Sequence, residues 1–280
     1  MAIMQLRPMP TASLEVGPSA DDIEFYRENG FLAVERITTD EELEWLTELY
    51  EHIFDPDNAT DRGAPIDRST GIDDALPTPL VTQAFMPEFN YPELLQTTYN
   101  RNARRFAEAL LDVDIGAIAC WSHMIRKLPG GREAPWHQDE AYWEPELEYH
   151  ALGCWLPLHD VSEEMGTMQF VPGSHQRGVL PHHPKGGDVK LHLLTVDVDT
   201  SSAVACPLTA GGCTFHAART LHFTAPNVTD RPRLAWPTEF EVMPRRRDLP
   251  AVRPWVDEWR AVSGHGAPTV HPRDGVLVDL

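Results

Sequence analysis

Residues 135–143 read Pro-Trp-His-Gln-Asp-Glu-Ala-Tyr-Trp and lie near the middle of the 280-residue chain. Within this stretch His137 and Asp139 are two positions apart, and residues i and i+2 of an extended strand point to the same face. An imidazole and a carboxylate on one face can bind a common cation. They would supply two ligands of the 2-His-1-carboxylate arrangement, which holds Fe(II) and leaves coordination positions open. Because a single His-x-Asp often occurs by chance, the hypothesis needs a third ligand elsewhere.

The sequence around this stretch consists of short apolar segments separated by glycine and proline. Such segments span 115–127, 149–158, 167–171, 189–196, 202–208, 212–216, 220–225 and 233–243. Several short strands with turn signals between them predict a β-sandwich or barrel. We therefore expect a mainly β fold whose core covers about residues 114–243.

Helical patterns precede the β-rich region. Ser19 and Asp22 can cap a short helix that ends before Gly30, and a strand follows at 31–35. Thr39 stands before an acidic first turn, and the apolar spacing predicts a helix through Ile53. A third helical region is predicted from about 92 to 111. These elements would form a helical layer that flanks the β core on its N-terminal side.

The remaining segments suggest the domain organisation. Residues 1–18 contain several prolines and predict a flexible tail, and residues 19–280 are expected to form one domain. Residues 55–80 predict a long irregular loop, a kind of segment that often serves as a lid or a binding edge. Trp255 and Trp259 lie on a short helical pattern in a C-terminal segment that we expect to wrap the outside.

Composition narrows the class of partner. The net charge of −20 argues against a general nucleic-acid or anionic-membrane binder, which needs a basic surface. No apolar run reaches the length of a transmembrane helix, and the N-terminus lacks the pattern of a secretory signal. The four cysteines show no CxxC spacing and predict buried free thiols. We expect a cytoplasmic protein, monomer or homodimer, that acts on a small molecule.

The search for a third ligand favours one of the 13 histidines. His216 and His222 both follow Gly211-Gly212 in a compact β segment, but His222 has Thr224 on its strand face and Arg233 eleven residues on. If 220–225 and 233–240 are antiparallel neighbours, the side chains of His222 and Arg233 could face the same cavity. A guanidinium binds a carboxylate through two hydrogen bonds, and Thr224 could add another. His216 is predicted to be a core histidine or a support for a ligand.

Three metal ligands and a buried cation matched to a dicarboxylate indicate a 2-oxoglutarate-dependent oxygenase better than a hydrolase. At this point the chain resembles the phytanoyl-CoA dioxygenase (PhyH-like) family of Fe(II)/2-oxoglutarate oxygenases over roughly residues 20–243. The residues that carry the resemblance are the opening Phe25-Tyr26-Arg27-Glu28-Asn29-Gly30-Phe31-Leu32, His137-Gln138-Asp139, Gly153-Cys154-Trp155-Leu156-Pro157-Leu158, the run from Gly166 to His175, and His222-Phe223-Thr224-Ala225-Pro226-Asn227 with Arg233.

The resemblance implies a double-stranded β-helix, or jelly-roll, core and the cofactors Fe(II), 2-oxoglutarate and O2. It implies that His137, Asp139 and His222 bind iron and that Arg233 binds the far carboxylate of 2-oxoglutarate. It further implies that Met124 and Trp155 line the cosubstrate or substrate pocket, with Thr224 assisting. Halogenating relatives carry a small residue in place of the carboxylate, so the presence of Asp139 favours hydroxylation or a related oxidation.

The sequence predicts the substrate less clearly than it predicts the metal site. Trp136 and Trp143 flank the metal motif and are candidate substrate-binding residues, although plain core packing explains them equally well. We expect a small natural-product intermediate, an amino-acid derivative or a sugar derivative. Two alternatives stay open. One is a cupin-like metal-dependent isomerase or hydrolase that does not use 2-oxoglutarate, and the other is a non-catalytic β-barrel binding protein.

Overall fold

The computed structural model describes residues 7–55, 66–67, 80–187 and 193–263. Most of the predicted loop 55–80, and with it the question of a lid, lies outside these residues. The α-helices within them are α1 (Ala20–Asn29), α2 (Asp40–Ile53), α3 (Thr98–Leu110) and α4 (Pro254–Ser263). The predicted helical region 92–111 is divided, because a 3-10 helix at Pro92–Gln96 ends before Thr97, whose side chain caps α3.

The fold is mainly β, as expected, and a strand overlaps each of the eight segments predicted from the sequence. Further strands lie outside those segments, and one of them, Ile66–Asp67, falls within the predicted irregular loop 55–80. The strands are β1 (Phe31–Val34), β2 (Ile66–Asp67), β3 (Val81–Phe85), β4 (Ile118–Lys127), β5 (Ala134–His137), β6 (Leu147–Glu148), β7 (Ala151–Pro157), β8 (Met168–Phe170), β9 (His183–Pro184), β10 (Leu194–Thr195), β11 (Val204–Ala205), β12 (Cys213–Ala217), β13 (His222–Thr224), β14 (Arg233–Val242) and β15 (Arg245–Arg246).

The helix ends follow from local chemistry. At α1 the side chain of Ser19 accepts from the backbone of Asp22, and the Asp22 carboxylate accepts from the backbone of Ser19. Gly30 ends this helix at φ 79°, a left-handed conformation that glycine adopts without a Cβ clash. Thr39 caps α2 in the same way that Thr97 caps α3. Each cap satisfies a backbone N–H that the helix itself leaves unpaired.

Two antiparallel sheets organise the β region. The larger has seven strands in the order β1-β12-β7-β14-β4-β3-β2, and the smaller has four in the order β11-β8-β13-β5. Short two-stranded ladders join β9 to β10 and β6 to β15. Strand β7, near the middle of the larger sheet, is buried along its whole length, so this sheet is covered on both faces.

Alternation along the strands explains these two layers. Leu156 and Trp236 lie in one apolar cluster with residues of α2 and α3. Their strand neighbours Trp155 and Ala235 point to the other face and pack with Phe170 of the smaller sheet. Because successive side chains of a strand point to opposite faces, the larger sheet carries the helices on one side and the smaller sheet on the other.

Segments 220–225 and 233–240 are not antiparallel neighbours, so the condition under which the sequence placed His222 beside Arg233 is not met. Strand β13 lies between β8 and β5 in the smaller sheet, whereas β14 lies between β7 and β4 in the larger one. The turn between them crosses from one sheet to the other instead of closing a hairpin. His222 and Arg233 therefore belong to different sheets, which pack against each other.

The segment before α1 differs from the flexible tail that its composition predicts. Trp45 of α2 donates its indole N–H to the carbonyl of Arg7 at 3.0 Å, and Asn102 of α3 donates to the carbonyl of Leu14 at 2.9 Å. Met9 and Val16 pack against the helical core. Residues 7–18 thus have no helix or strand but are held by side-chain hydrogen bonds from two helices.

Two expectations from composition can be compared with this fold. The four cysteines are free thiols, as predicted, and Cys154, Cys206 and Cys213 are buried. Burial raises the pKa of the Cys206 thiol to about 11. In the part of the chain that the structure describes, no helix combines the length and the apolar character needed to cross a membrane.

Candidate active site

Strand pairing brings the predicted metal ligands together. His137 of β5 lies directly opposite His222 of β13, and their ring centroids are 4.1 Å apart. Asp139 does not lie in the strand but opens a 3-10 turn. It remains on the His137 side because Gln138 between them keeps an extended backbone, with φ −121° and ψ 134°. One metal-binding atom from each of His137, Asp139 and His222 lies within 4.8 Å of the others.

The hydrogen bonds of the two histidines leave the correct nitrogen atoms free. Nδ1 of His137 contacts the carbonyl of Pro135 at 2.6 Å, and Nδ1 of His222 contacts the carbonyl of Thr220 at 2.9 Å. An Nδ1–H that donates to a carbonyl places the lone pair on Nε2, the atom that then binds a metal. Both Nε2 atoms face the Asp139 carboxylate, at 3.8 and 3.4 Å. This donor set fits Fe(II).

The charges of the three groups suit a cation. Burial opposes the ionised form of Asp139, but the charge of His222 and the hydrogen bonds from His216 and His222 hold its pKa well below the usual range. Burial and the charge of His222 lower the pKa of His137 to about 3, so this imidazole is neutral at ordinary pH. Burial disfavours the charged form of His222, yet Asp139 raises its pKa overall. A divalent cation would compete with the proton that Asp139 attracts there.

His216 contacts the site without belonging to the triad. Its Nε2 lies 3.0 Å from Oδ2 of Asp139, so it holds the carboxylate from the side of β12. The close approach depends on Gly153 of β7, since a Cβ there would lie 2.8 Å from the His216 ring and 3.1 Å from Oε1 of Glu239. Glu239 is itself buried, and its pKa is raised well above the usual range by burial and by the charge of Asp139.

Arg233 is buried next to this site and is poorly paired. Its exposed fraction is 2%, its Nη1 donates to the carbonyl of Gly166 at 2.9 Å, and its Nε has no partner among the described residues. The guanidinium lies over the ring of Trp155, 5.3 Å from the ring centroid. Thr224 lies two residues from His222, and Lys127 donates to its hydroxyl at 3.0 Å. Arg233, Trp155 and Thr224 thus lie together, and Lys127 joins them.

The structure does not bring the other predicted pocket residues to the metal ligands. Met124 is fully buried in the cluster that α2 and α3 form with the outer face of the larger sheet. Trp136 points away from His137 because it is its strand neighbour, and its ring stacks on Phe223 at 5.2 Å. Trp143 packs on Tyr149 at 4.8 Å, beneath the metal-binding turn. For both tryptophans core packing describes the observed contacts.

An ion-pair cluster that the sequence did not reveal supports this turn. Glu140, next to Asp139, is buried and accepts from Arg219 at 2.6 Å and from Arg253 at 2.7 Å. Arg253 also donates to the carbonyl of Trp143 at 3.0 Å, and Trp255 donates to the carbonyl of Ala141 at 2.8 Å. The only local signal was an acidic residue beside the motif, because its partners lie about 80 to 110 residues further along the chain.

Comparisons with known proteins identify relatives of this chain. The sequence profile of the phytanoyl-CoA dioxygenase (PhyH) family matches residues 26–235. Phytanoyl-CoA dioxygenase domain-containing protein 1 of Danio rerio is 27% identical over 148 residues, which cover 51% of this chain and 50% of that protein. Ectoine dioxygenase of Bordetella parapertussis is 27% identical over 237 residues, which cover 77% of this chain and 72% of that protein. The chain therefore matches only about half the length of the first of these relatives.

A solved structure covers more of the chain. The crystal structure of EvdO2 from Micromonospora carbonacea var. aurantiaca superposes with a TM-score of 0.77 at 35% identity, covering 87% of this chain and 99% of that one. EvdO2 complexed with 2-oxoglutarate superposes with a TM-score of 0.75 at 33% identity. With the family profile spanning about three quarters of the sequence, the chain belongs to the phytanoyl-CoA dioxygenase family.

Proposed function

We propose that this protein is an Fe(II)- and 2-oxoglutarate-dependent dioxygenase that oxidises an unactivated C–H bond of a small metabolite. The observation that carries the proposal is the juxtaposition of two chemistries. His137, Asp139 and His222 form a metal-binding set, and Arg233 lies buried on the facing sheet. Among the described residues, no carboxylate forms an ion pair with Arg233.

Each group has a role in this reaction. His137, Asp139 and His222 would hold Fe(II) through one face and leave the remaining positions to 2-oxoglutarate and O2. Arg233 would bind the far carboxylate with its guanidinium fork, and Thr224 and Trp155 would position that end. Together the bound iron, 2-oxoglutarate and O2 supply the oxidation, in which 2-oxoglutarate becomes succinate and CO2. Phe170, 6.4 Å from the ring of His222, provides an apolar wall that limits access of water.

The same proposal includes the type of β fold, the type of oxidation and the class of substrate. In this proposal the two sheets are the larger and smaller halves of a double-stranded β-helix, and the described residues from 19 to 263 belong to one domain around it; residues 264–280 of the predicted domain lie outside the described residues. Because Asp139 keeps its carboxylate, hydroxylation or a related oxidation is favoured over halogen transfer. The relative named ectoine dioxygenase supports a small-metabolite substrate, and a natural-product intermediate, an amino-acid derivative or a sugar derivative fits this class.

The first experiment needs no knowledge of the substrate. Anaerobic protein loaded with Fe(II) is titrated with 2-oxoglutarate, and we expect a metal-to-ligand charge-transfer band in the visible spectrum. Absence of the band from folded, iron-loaded protein would overturn the proposal. In air, slow formation of succinate without substrate would argue against a non-catalytic binding protein.

The second experiment separates this function from a metal-dependent isomerase or hydrolase. Arg233→Ala should weaken the binding of 2-oxoglutarate at least tenfold, in line with the loss of a hydrogen-bonded charge pair. The binding of Fe(II) alone should stay close to that of the wild type. An enzyme that does not use 2-oxoglutarate would keep its activity in this variant.

A further inference from the structure

We propose that Lys127 is a second cation of the cosubstrate pocket, which binds the distal carboxylate of 2-oxoglutarate together with Arg233 and orients the hydroxyl of Thr224 toward it. The inference rests on the function proposed above. It is carried by three observations: the register of two strands, the hydrogen bonds of one ammonium group and the absence of a paired carboxylate among the described residues.

The register places the two cations side by side. Lys127 is the last residue of β4 and lies directly opposite Arg233, the first residue of β14. Directly opposed residues of an antiparallel pair point to the same face, with Cβ atoms roughly 5 Å apart. Like charges in this position destabilise a sheet unless something lies between them. Both residues are 2% exposed, so bulk solvent does not screen the two charges.

Lys127 also reaches across to the smaller sheet. Its Nζ donates to Oγ1 of Thr224 and to the carbonyl of Ala225, both at 3.0 Å. An ammonium has three hydrogens, so one remains for a further acceptor. Gly166 lies at the same point, because a Cβ there would lie 2.3 Å from the Ala225 carbonyl oxygen and 3.6 Å from Nζ, while its own carbonyl accepts from Arg233. The two cations thus converge on one small volume.

The hydrogen bond to Thr224 determines what that hydroxyl can do. A hydroxyl has one hydrogen to donate and lone pairs to accept with. Since Oγ1 accepts from Lys127, the O–H of Thr224 is left to donate to another group. A carboxylate oxygen is the acceptor that suits it, because charge-assisted hydrogen bonds are the stronger kind. Lys127 therefore provides both a direct ligand and the reason why Thr224 acts as a donor.

The two positive side chains of the pocket, Lys127 and Arg233, have no negative partner among the described residues and would bind an anion. In the described part of the chain, no Asp or Glu forms a hydrogen bond or ion pair with Lys127 or Arg233. The charge of Glu133 raises the pKa of Lys127 without a direct contact, and Glu133 forms its own ion pair with Lys185. Burial and the charge of Arg233 hold the pKa of Lys127 well below its usual value, which reflects the same lack of a counter-ion. A ligand with a distal carboxylate would meet both cations at once.

The test compares two ligands that differ only at the distal end. Lys127→Met is titrated anaerobically as the Fe(II) protein with 2-oxoglutarate and with 2-oxobutyrate, which keeps the 2-oxo acid but lacks the distal carboxylate. The dissociation constant of 2-oxoglutarate should rise roughly ten- to hundredfold, as expected for hydrogen bonds to a charged group. That of 2-oxobutyrate should change less than twofold. Arg260→Met removes one positive charge from a half-exposed ion pair with Glu146, which has no contact with Lys127 or Arg233, and should leave both constants unchanged.

The outcomes are separable. Equal weakening of both ligands would mean that Lys127 only supports the fold, and unchanged binding of 2-oxoglutarate would mean that it does not contact the cosubstrate; either result overturns the inference. If Lys127→Met does not fold, Lys127→Gln, which keeps a hydrogen-bond donor, is judged by the same selectivity. A wild-type protein that gives no charge-transfer band would overturn the proposed function first and this inference with it.

Discussion

Nε2 of His216 lies 3.0 Å from Oδ2 of Asp139, while Oδ1 of the same carboxylate faces the two histidines of the triad. One oxygen is thus held by β12 and the other is left for a metal. The Nδ1 atom of His216 is buried without a partner among the described residues, so Nε2 carries the hydrogen of this ring. A ligand fixed in this way binds a metal without first losing conformational freedom.

His216→Ala should therefore weaken the binding of Fe(II) or Co(II) by about ten- to hundredfold, the range typical of residues that orient a metal ligand. Competition with a coloured chelator under anaerobic conditions measures the affinity. His150→Ala, at an exposed position, is the matched control. Unchanged affinity in His216→Ala would show that Asp139 is positioned without this hydrogen bond.

Arg253 and Arg260 provide a contrast between a buried and an exposed ion pair. Arg253 and its partner Glu140 are almost fully buried, whereas the side chains of Arg260 and Glu146 are 31% and 38% exposed. Arg253→Met should lower the free energy of unfolding by about 3–5 kcal/mol, because the Glu140 carboxylate and the carbonyls of Glu140 and Trp143 lose this donor. Arg260→Met should lower it by less than about 1 kcal/mol. Urea denaturation measures both, and equal effects would contradict this description of the metal-binding turn.

Glu42 joins two helices by its carboxylate. It lies in α2, and its oxygens accept from the backbone N–H groups of Thr98 at 2.6 Å and Tyr99 at 2.8 Å, in the first turn of α3. These N–H groups have no partner within the helix, and a negative charge suits its N-terminus.

Glu42→Gln should cost about 1–3 kcal/mol of unfolding free energy, because an amide offers one oxygen in place of two charged ones. Glu44→Gln, on the exposed side of the same helix, should change it by less than about 0.5 kcal/mol. Thermal and urea unfolding of the two variants are compared directly. A similar small effect in both would show that α3 does not depend on this cap.

The raised pKa of Glu239 should make the stability of the protein depend on pH. Burial and the charges of Asp139 and Glu241 raise its pKa well above the usual range. Its folded-state pKa is thus higher than its unfolded one, so the acid form stabilises the protein at low pH, and this contribution is lost as the pH rises from the unfolded pKa through the folded one. Each unit of elevation corresponds to about 1.4 kcal/mol.

Glu239→Gln removes this titration. The metal-free variant should exceed the wild type in stability at pH 8, and the difference should shrink as the pH falls toward 4. Glu163→Gln, at an exposed carboxylate, should show no such trend. Parallel stability curves for Glu239→Gln and the wild type between pH 4 and 8 would contradict the prediction.

The parts of the site that could be predicted from sequence depend on local spacing. His137 and Asp139 are two residues apart, so their common direction follows from backbone geometry alone, and the structure retains it across the extended Gln138. The caps at Ser19 and Thr39 were predictable for the same reason, since a cap bonds within three residues. His222 was singled out by a compact motif, and the family resemblance assigned it to the metal.

The features that were missed depend on register and on which sheet a strand joins. Lys127 meets Arg233 only because β4 and β14 pair in one register, and meets Thr224 only because the two sheets face each other. Met124 and Trp136 were candidates for the pocket. The structure places Met124 in the core between the larger sheet and the helices and Trp136 against Phe223, because neighbouring side chains of a strand point to opposite faces.

Sequence alone therefore determined the mainly β class of the fold, the helix ends and the candidate metal ligands, because these follow from contacts a few residues apart and from a family pattern. Tertiary structure alone decided that His222 and Arg233 come from different sheets, that Glu140 is held by Arg253, and that Lys127 lies beside Arg233. These relationships join residues that are distant along the chain, and only the packing of both sheets defines which of their faces meet.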